Sequence, residues 1–182
     1  MSIPVHPENG YGIKYYGSGK KFYRGEFKNH KTHGKGMCWE DNEKNSIRYI
    51  GDFRHDEWNG YGKYYNGNGW LQHEGEYKDG QWHYWGKNYR SNGVMDYEGD
   101  FFVGQRHGYG KWYNDDCELG YEGDHKSGQW CGFGKMYGKN GMVRHEGGYK
   151  NGQWHGFGKL YREDGSQEIE WEGVFENGHK LM

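Results

Sequence analysis

The stretches "KDGQWHYWGK" (78–87), "KSGQWCGFGK" (126–135) and "KNGQWHGFGK" (150–159) write one decapeptide, K-x-G-Q-W-x-x-x-G-K, three times, at starts 48 and then 24 residues apart. Either a chemical motif is displayed several times or one structural unit is stacked. Taking the glycine that follows an aromatic-x pair as position 0 places it at Gly25, Gly51, Gly75, Gly99, Gly123, Gly147 and Gly173, in steps of 26, 24, 24, 24, 24 and 26 residues. Another glycine falls at +11 (Gly36, Gly62, Gly86, Gly110, Gly134, Gly158), and a third usually at +9 (Gly34, Gly60, Gly108, Gly132, Gly156), where Tyr84 departs from the rule. A fixed period of this length is the mark of a repeat architecture.

The ends fit the same frame. "NGYG" at 9–12 is the second half of a repeat, and "WEGVFENG" at 171–178 is a first half. The expected organisation is an N-terminal extension over 1–8, one array over 9–178 (half repeat, six full repeats, half repeat) and a tail over 179–182. Two-residue insertions precede Gly51 and Gly173, both at the corner occupied by "EDNEKNS" and "REDGSQE". Both prolines, Pro4 and Pro7, lie outside the array, which suits interior strands that must all donate to ladders.

Composition says what the unit is built from. The chain of 182 residues holds 35 Gly, 18 Tyr, 9 Trp and 8 Phe. Leu, Ile and Val are scarce, so the core must be aromatic rings over glycine. That ring content is too high for a disordered chain. No apolar signal-like segment opens it, and no stretch approaches a spanning helix. Cys38, Cys117 and Cys131 form no CxxC and read as free thiols of a reducing compartment. A formal net charge of −2 argues against a nucleic-acid binder.

Two turn signals occur per repeat. One is at +4/+5 (Asp79-Gly80, Ser127-Gly128, Asn151-Gly152, Asn177-Gly178) and the other near +17/+18 (Asn68-Gly69, Asn92-Gly93, Asn140-Gly141, Asp164-Gly165). Short aromatic-rich runs between them read as hairpins. The fold expected is all-β: an elongated, twisted single-layer antiparallel sheet of stacked hairpins, solenoid-like, with open ends and a groove on one face. A register in which +1 faces +12 sets the +2 rings Phe27, Phe53, Tyr77, Phe101 and Tyr149 opposite +11 glycines. The same register pairs Asp52–Lys63, Glu76–Lys87, Asp100–Lys111 and Asp124–Lys135, and sets Arg54, Lys78, Lys126 and Lys150 against Tyr61, Trp85, Phe133 and Phe157.

The pattern Y-x-G-[ED]-[FY]-x-x-G-x-x-x-G-x-G, clearest in "YEGDFFVGQRHGYG" (97–110) and "HEGGYKNGQWHGFG" (145–158), resembles MORN repeats, the "membrane occupation and recognition nexus" family. The match runs to about seven repeats over nearly the whole chain. His73 and His145 replace the leading aromatic, Tyr84 a glycine and His125 a strand aromatic. The resemblance implies a curved single-layer sheet with a groove, and a scaffold or adaptor, often dimeric, linked to cytoskeleton, cilia or membrane contacts. The thiols and the opening segment lead us to expect a cytoplasmic protein, and the resemblance adds cytoskeletal or ciliary association by analogy.

Candidate chemistry is weighed against this frame. His33, His83, His107 and His155 share +8 with Cys131, but equivalent residues of successive hairpins stand roughly 9–10 Å apart, too far to share one zinc. No metal or cofactor is expected. Carboxylates recur beside lysines in equivalent surroundings, which gives no pair with divided roles, and no nucleophile elbow or P-loop occurs. No catalytic residue is assigned and the chain reads as no enzyme. Trp58, Trp82, Trp130 and Trp154 at +7 read as packing on their own turns, with a partner-binding ridge as the alternative. The candidate partner-binding face carries Tyr61, Trp85, Tyr109, Phe133 and Phe157 at +10 and Tyr65, Tyr89, Tyr113, Tyr137 and Tyr161 at +14. The glycines Gly51, Gly62, Gly75, Gly86, Gly99, Gly110, Gly123, Gly134, Gly147 and Gly158 read as structural. The function expected is a non-catalytic scaffold that binds a helix or extended peptide, with self-association through open sheet ends as a second mode. The alternative is a peripheral module for anionic lipid head groups. Against it, Lys and Arg (24) are interleaved with Asp and Glu (26), and no polybasic cluster exists.

Overall fold

Residues 21–28 (KFYRGEFK) alternate between exposed and buried, with Tyr23, Gly25 and Phe27 inward. The same period of two recurs at 71–78, 95–102 and 143–150. A computed structural model describes residues 6–182; the remainder of the N-terminal extension, Pro4 included, lies outside them. All paired strands are antiparallel, and no helix occurs among the described residues. The chain divides into two compact units, one ending at Gly93 and one from Val94 to Met182.

The first unit is a meander of β1 (Gly10–Tyr15), β2 (Lys21–Lys28), β3 (Lys31–Trp39), β4 (Ile47–Arg54), β5 (Glu57–Tyr65), β6 (Leu71–Lys78) and β7 (Gln81–Tyr89). The second contains β8 (Met95–Phe102), β9 (Gln105–Tyr113), β10 (Leu119–Lys126), β11 (Gln129–Tyr137), β12 (Val143–Lys150), β13 (Gln153–Tyr161), β14 (Ile169–Glu176) and the two-residue β15 (His179–Lys180). Within each unit sequence neighbours pair, so every hairpin buries its rings against the next. Residues 6–8 join the first unit: His6 stacks on Phe27 at 5.0 Å, and the Glu8 carbonyl accepts from His30 N–H at 2.8 Å.

The +4/+5 turns take positive φ at both positions, for example 50° and 77° at Asp79-Gly80 and 52° and 79° at Asn151-Gly152. These are I′ turns, whose twist matches the flanking strands. They are also stitched to the preceding hairpin, since Gly80 N–H donates to Trp58 O and Gly152 N–H to Trp130 O, each at 2.9 Å. Val103 occupies a first turn position at φ 50° and is exposed. A β-branched residue is strained there. Val103→Asn is therefore expected to stabilise the protein by about 1 kcal/mol. That is a rise in melting temperature of about 2–4 °C, readable by calorimetry.

The register differs from the expected one. Glycine faces glycine: Gly51↔Gly62, Gly75↔Gly86, Gly99↔Gly110 and Gly147↔Gly158. Past that pair the register jumps, so that Tyr77 faces Trp82 and Phe53 faces Trp58. A bulge over +8 to +10 causes the jump, with the +9 residue in the left-handed region (Gly60 φ 78°, Gly108 φ 62°, Tyr84 φ 57°). Ring-against-glycine pairing does occur, but the glycine is the +9 one of the preceding hairpin: Gly34↔Phe53, Gly60↔Tyr77, Gly132↔Tyr149. Arg54, Lys78, Lys126 and Lys150 face Glu57, Gln81, Gln129 and Gln153 instead of the expected rings.

The bulge frees backbone groups, and two repeat positions serve them, −2 and +1. The Tyr97 and Tyr121 hydroxyls donate to the +1 carbonyls of Asp100 and Asp124 at 3.1 Å. The +1 carboxylates accept the +10 N–H, as in Tyr61 N–H to Asp52 (3.1 Å) and Phe133 N–H to Asp124 (3.1 Å). This is why an acid follows the glycine in the motif. Buried backbone polar groups need such partners.

One face of each unit is a herringbone of rings. The −2 ring lies across its Gly–Gly pair and is fully buried at Tyr23, Tyr49, His73, Tyr97, Tyr121 and His145. The +7 Trp stacks on it: Tyr49–Trp58 at 4.5 Å, His73–Trp82 at 4.5 Å, Tyr121–Trp130 at 4.2 Å and His145–Trp154 at 4.6 Å. Where Arg106 replaces the Trp, its guanidinium sits 4.7 Å from the Tyr97 ring. The +2 ring of the next hairpin meets the −2 ring edge-on, as in Tyr49–Tyr77 and Tyr121–Tyr149, both at 5.1 Å. Each such contact contributes about 0.5–1.5 kcal/mol beyond burial. The tryptophans thus belong to the core and not to an exposed ridge.

Candidate interaction face

The opposite face carries residues −1, +1, +10, +12 and +14. Its +12 lysines do not face the +1 acids of their own hairpins as expected. In the observed register they face residue −1: Glu74↔Lys87, Glu98↔Lys111, Glu122↔Lys135 and Glu146↔Lys159. The adjacent hairpin repeats the pairing, with Lys63–Glu74 at 3.1 Å, Lys135–Glu146 at 3.9 Å and Lys159–Glu172 at 3.8 Å. Each exposed pair contributes about 0–1 kcal/mol, so the ladder matters more as a charge pattern than as stability.

The +14 tyrosines anchor this ladder. Tyr89, Tyr113 and Tyr137 donate to Glu74, Glu98 and Glu122 at 2.7, 2.8 and 2.7 Å, and Tyr161 to Glu146 at 3.5 Å. Burial and the neighbouring Glu98 carboxylate push the Tyr113 hydroxyl up to about 12. Burial raises Glu74, but hydrogen bonds from Tyr89 and Lys63 outweigh it and hold the carboxyl below its usual range. Tyr65 has Ile50 at the −1 site of its hairpin, where no acceptor exists. Tyr89, Tyr113, Tyr137 and Tyr161 are thus tied down by their own hairpins.

The +10 rings are different. Tyr61, Trp85, Tyr109, Phe133 and Phe157 are 45, 42, 51, 56 and 61% exposed, in strands whose other face is sealed by rings. Lys87 sits 5.5 Å from the Trp85 ring. In the first unit, Tyr61 borders a cleft of about 450 Å³ that reaches back to Tyr11 and Arg24.

The ten glycines assigned to structure lie under the −2 rings: a Cβ on Gly51 would come 2.5 Å from the Gly62 Cα. The +8 histidines do not gather. His33 lies 5.7 Å from His55, and no group of three or more His, Cys, Asp or Glu is arranged for a metal among the described residues. Cys38 is buried, and desolvation pushes its thiol up to about 11. No helix among the described residues is long and apolar enough to cross a membrane.

Identical hairpins, a shared bulge and rings handed from one hairpin to the next define a β-hairpin repeat protein. The MORN repeat model matches residues 23–44, 49–71, 97–117, 121–143 and 145–167, more than half of the chain. The chain belongs to the MORN repeat family. No curated protein gives a significant match. The hairpin β6–β7, with His73 and Tyr84, falls between the matched segments, yet it pairs Gly75 with Gly86 like the others. That adds a unit to the five matched.

Proposed function

We propose that this protein is a non-catalytic scaffold or adaptor that binds another protein, as a helix or extended peptide, over the face carrying the +10 rings. The observation that supports the reading is the exposure of those rings: Tyr109, Phe133 and Phe157 leave about half or more of their surface in water, 51, 56 and 61%. Exposed aromatics set among charges are what partner surfaces use as anchors. Replacing Tyr109, Phe133 and Phe157 together with Ala leaves the ring-packed face untouched. It is expected to keep the circular-dichroism spectrum and melting temperature while weakening a captured, purified partner at least tenfold. Undiminished affinity in that variant would remove the reading. Lipid binding makes a different prediction. The lysines of this face alternate with glutamates, so the protein is expected to stay in the supernatant with vesicles carrying phosphatidic acid or phosphoinositides. Pelleting with anionic vesicles alone would put a membrane surface in the partner's place.

A further inference from the structure

On the charged face, residues −1 and +12 alternate in sign, as Lys63, Glu74 and Lys87 in the first unit and Glu98 and Lys111 in the second. Over β1–β4 the rungs change. There they are Ile13, Arg24, Met37 and Ile50. Arg24 stands where the strands from β6 onward carry Glu, and it faces Ile13 on one side and Met37 on the other. Neither neighbour offers it a charge. Its guanidinium is exposed, lies 5.7 Å from the Tyr11 ring and has no carboxylate partner among the described residues.

Arg24, Met37 and Ile50 line the cleft of about 450 Å³, together with Tyr11, Tyr61, Lys35 and Lys63 and the side-chain-free backbone of Gly36, Gly51 and Gly62. No Asp or Glu lines it. The two lysines are already committed: Lys35 to Asp52 at 2.7 Å and Lys63 to Glu74 at 3.1 Å. The uncommitted charge of the cleft is therefore one guanidinium beside half-buried Met37 and Ile50, with exposed rings at both ends. A guanidinium binds a carboxylate through two parallel N–H donors. The flanking apolar surface calls for an apolar side chain next to that carboxylate.

We propose that this cleft takes an acidic–apolar segment of a protein partner. A carboxylate seats on Arg24, and the adjoining aliphatic or aromatic side chain covers Met37 and Ile50 between Tyr11 and Tyr61. The proposal rests on the scaffold reading above and assigns a residue-level recognition rule to its first unit. Its warrant is charge complementarity at the one place where the ladder is interrupted.

The test is selection of a random dodecapeptide display library on the whole protein, in parallel with Arg24→Glu/Met37→Lys. That double variant writes the Glu–Lys rung found in the hairpins from β6 onward, so its fold is expected to persist; a melting curve checks this. Peptides enriched on the wild type are expected to carry Asp or Glu within two positions of Leu, Ile, Phe or Trp. A synthetic copy, followed by fluorescence anisotropy, is expected to lose at least tenfold in affinity to the double variant. It should lose as much when its acid becomes the amide, and little to Phe133→Ala/Phe157→Ala. No enrichment, enrichment without an acid, or binding indifferent to the double variant overturns the proposal. So does Arg24-dependent pelleting with phosphatidylserine vesicles, or Arg24-dependent dimerisation in sedimentation, since each names a different occupant. If peptides bind only through Phe133 and Phe157, the scaffold reading stands and this site falls.

Discussion

Acidification from about pH 6.5 to about pH 4 is expected to unfold this protein through three buried histidines. His73 and His145 take the −2 ring position and are fully buried; His125 takes a +2 position and is 2% exposed. Desolvation depresses all three to about 4, with Arg144 beside His145 pushing the same way. Around His73 and His125, hydrogen bonds to Asn88 and to the Gly123 carbonyl oppose the shift without reversing it. The geometry agrees. His145 Nδ1 meets the Tyr149 hydroxyl at 2.9 Å, while its Nε2 points at the Gly–Gly pair with no acceptor. In the unfolded chain these rings take protons below about pH 6.5, whereas the folded protein refuses them until about pH 4. Stability is therefore complete above the higher value and falls as pH drops toward the lower one. Each histidine removes about 3 kcal/mol, so three approach the whole folding free energy of a domain. Urea midpoints at about pH 7 and about pH 4.5 measure the loss. The variant His73→Tyr/His145→Tyr/His125→Phe, which restores the residues used by other hairpins, is expected to flatten it. Equal acid sensitivity in that variant would show that other groups carry the effect.

The second large effect belongs to the glycine pairs. Gly51→Ala is expected to lose about 3–5 kcal/mol, enough to remove most cooperative folding of the first unit. Its Cβ would stand 2.5 Å from the Gly62 Cα, 2.6 Å from the Tyr61 carbonyl oxygen and 2.6 Å from the Tyr49 hydroxyl. Two of these are backbone atoms held by the ladder, and the third ends a ring with 0% exposure, so nothing can yield cheaply. Gly17→Ala is the control, because nothing lies within 4 Å of its Cβ. That change should be neutral or stabilise by up to about 1 kcal/mol. Urea unfolding of the two variants side by side decides the matter; similar losses at both sites would mean that the rings do not need the bare backbone.

The period, the two turn positions per repeat, the all-β class and the exposure of the +10 rings were legible in the chain because each follows from one residue's own preference: Gly, Asn-Gly, or alternating rings. The register was not. A ladder with no bulge lets +1 meet +12, and the cross-strand charges look satisfied in that frame. The bulge that displaces it costs backbone hydrogen bonds, and only the Tyr97 hydroxyl and the Asp100 carboxylate, acting together at a distance, make it affordable. The usable signal was the glycine at +9, where a left-handed residue next to a strand glycine points to a bulge. That the tryptophans pack down was legible; the ring each one packs on was not, for the same reason. Only the shifted register brings Trp58 opposite Phe53 and within 4.5 Å of Tyr49. The break at Arg24 was present in the letters but becomes a cleft only when Met37 and then Ile50 are known to follow it from strand to strand.

The two kinds of turn give this protein a fixed margin and a writable one. Every I′ turn holds two residues, and turns such as Gly80 and Gly152 spend their N–H on the hairpin before. One added residue there would unpick two hairpins at once. The connections at the other hairpin ends hold five residues, or seven at 40–46 and 162–168, so natural length variation already falls there. A foreign peptide spliced into 40–46 or 162–168 should leave the rings in place. The same splice at Asp79-Gly80 should not, so new sequence can be written at one hairpin end and not at the other.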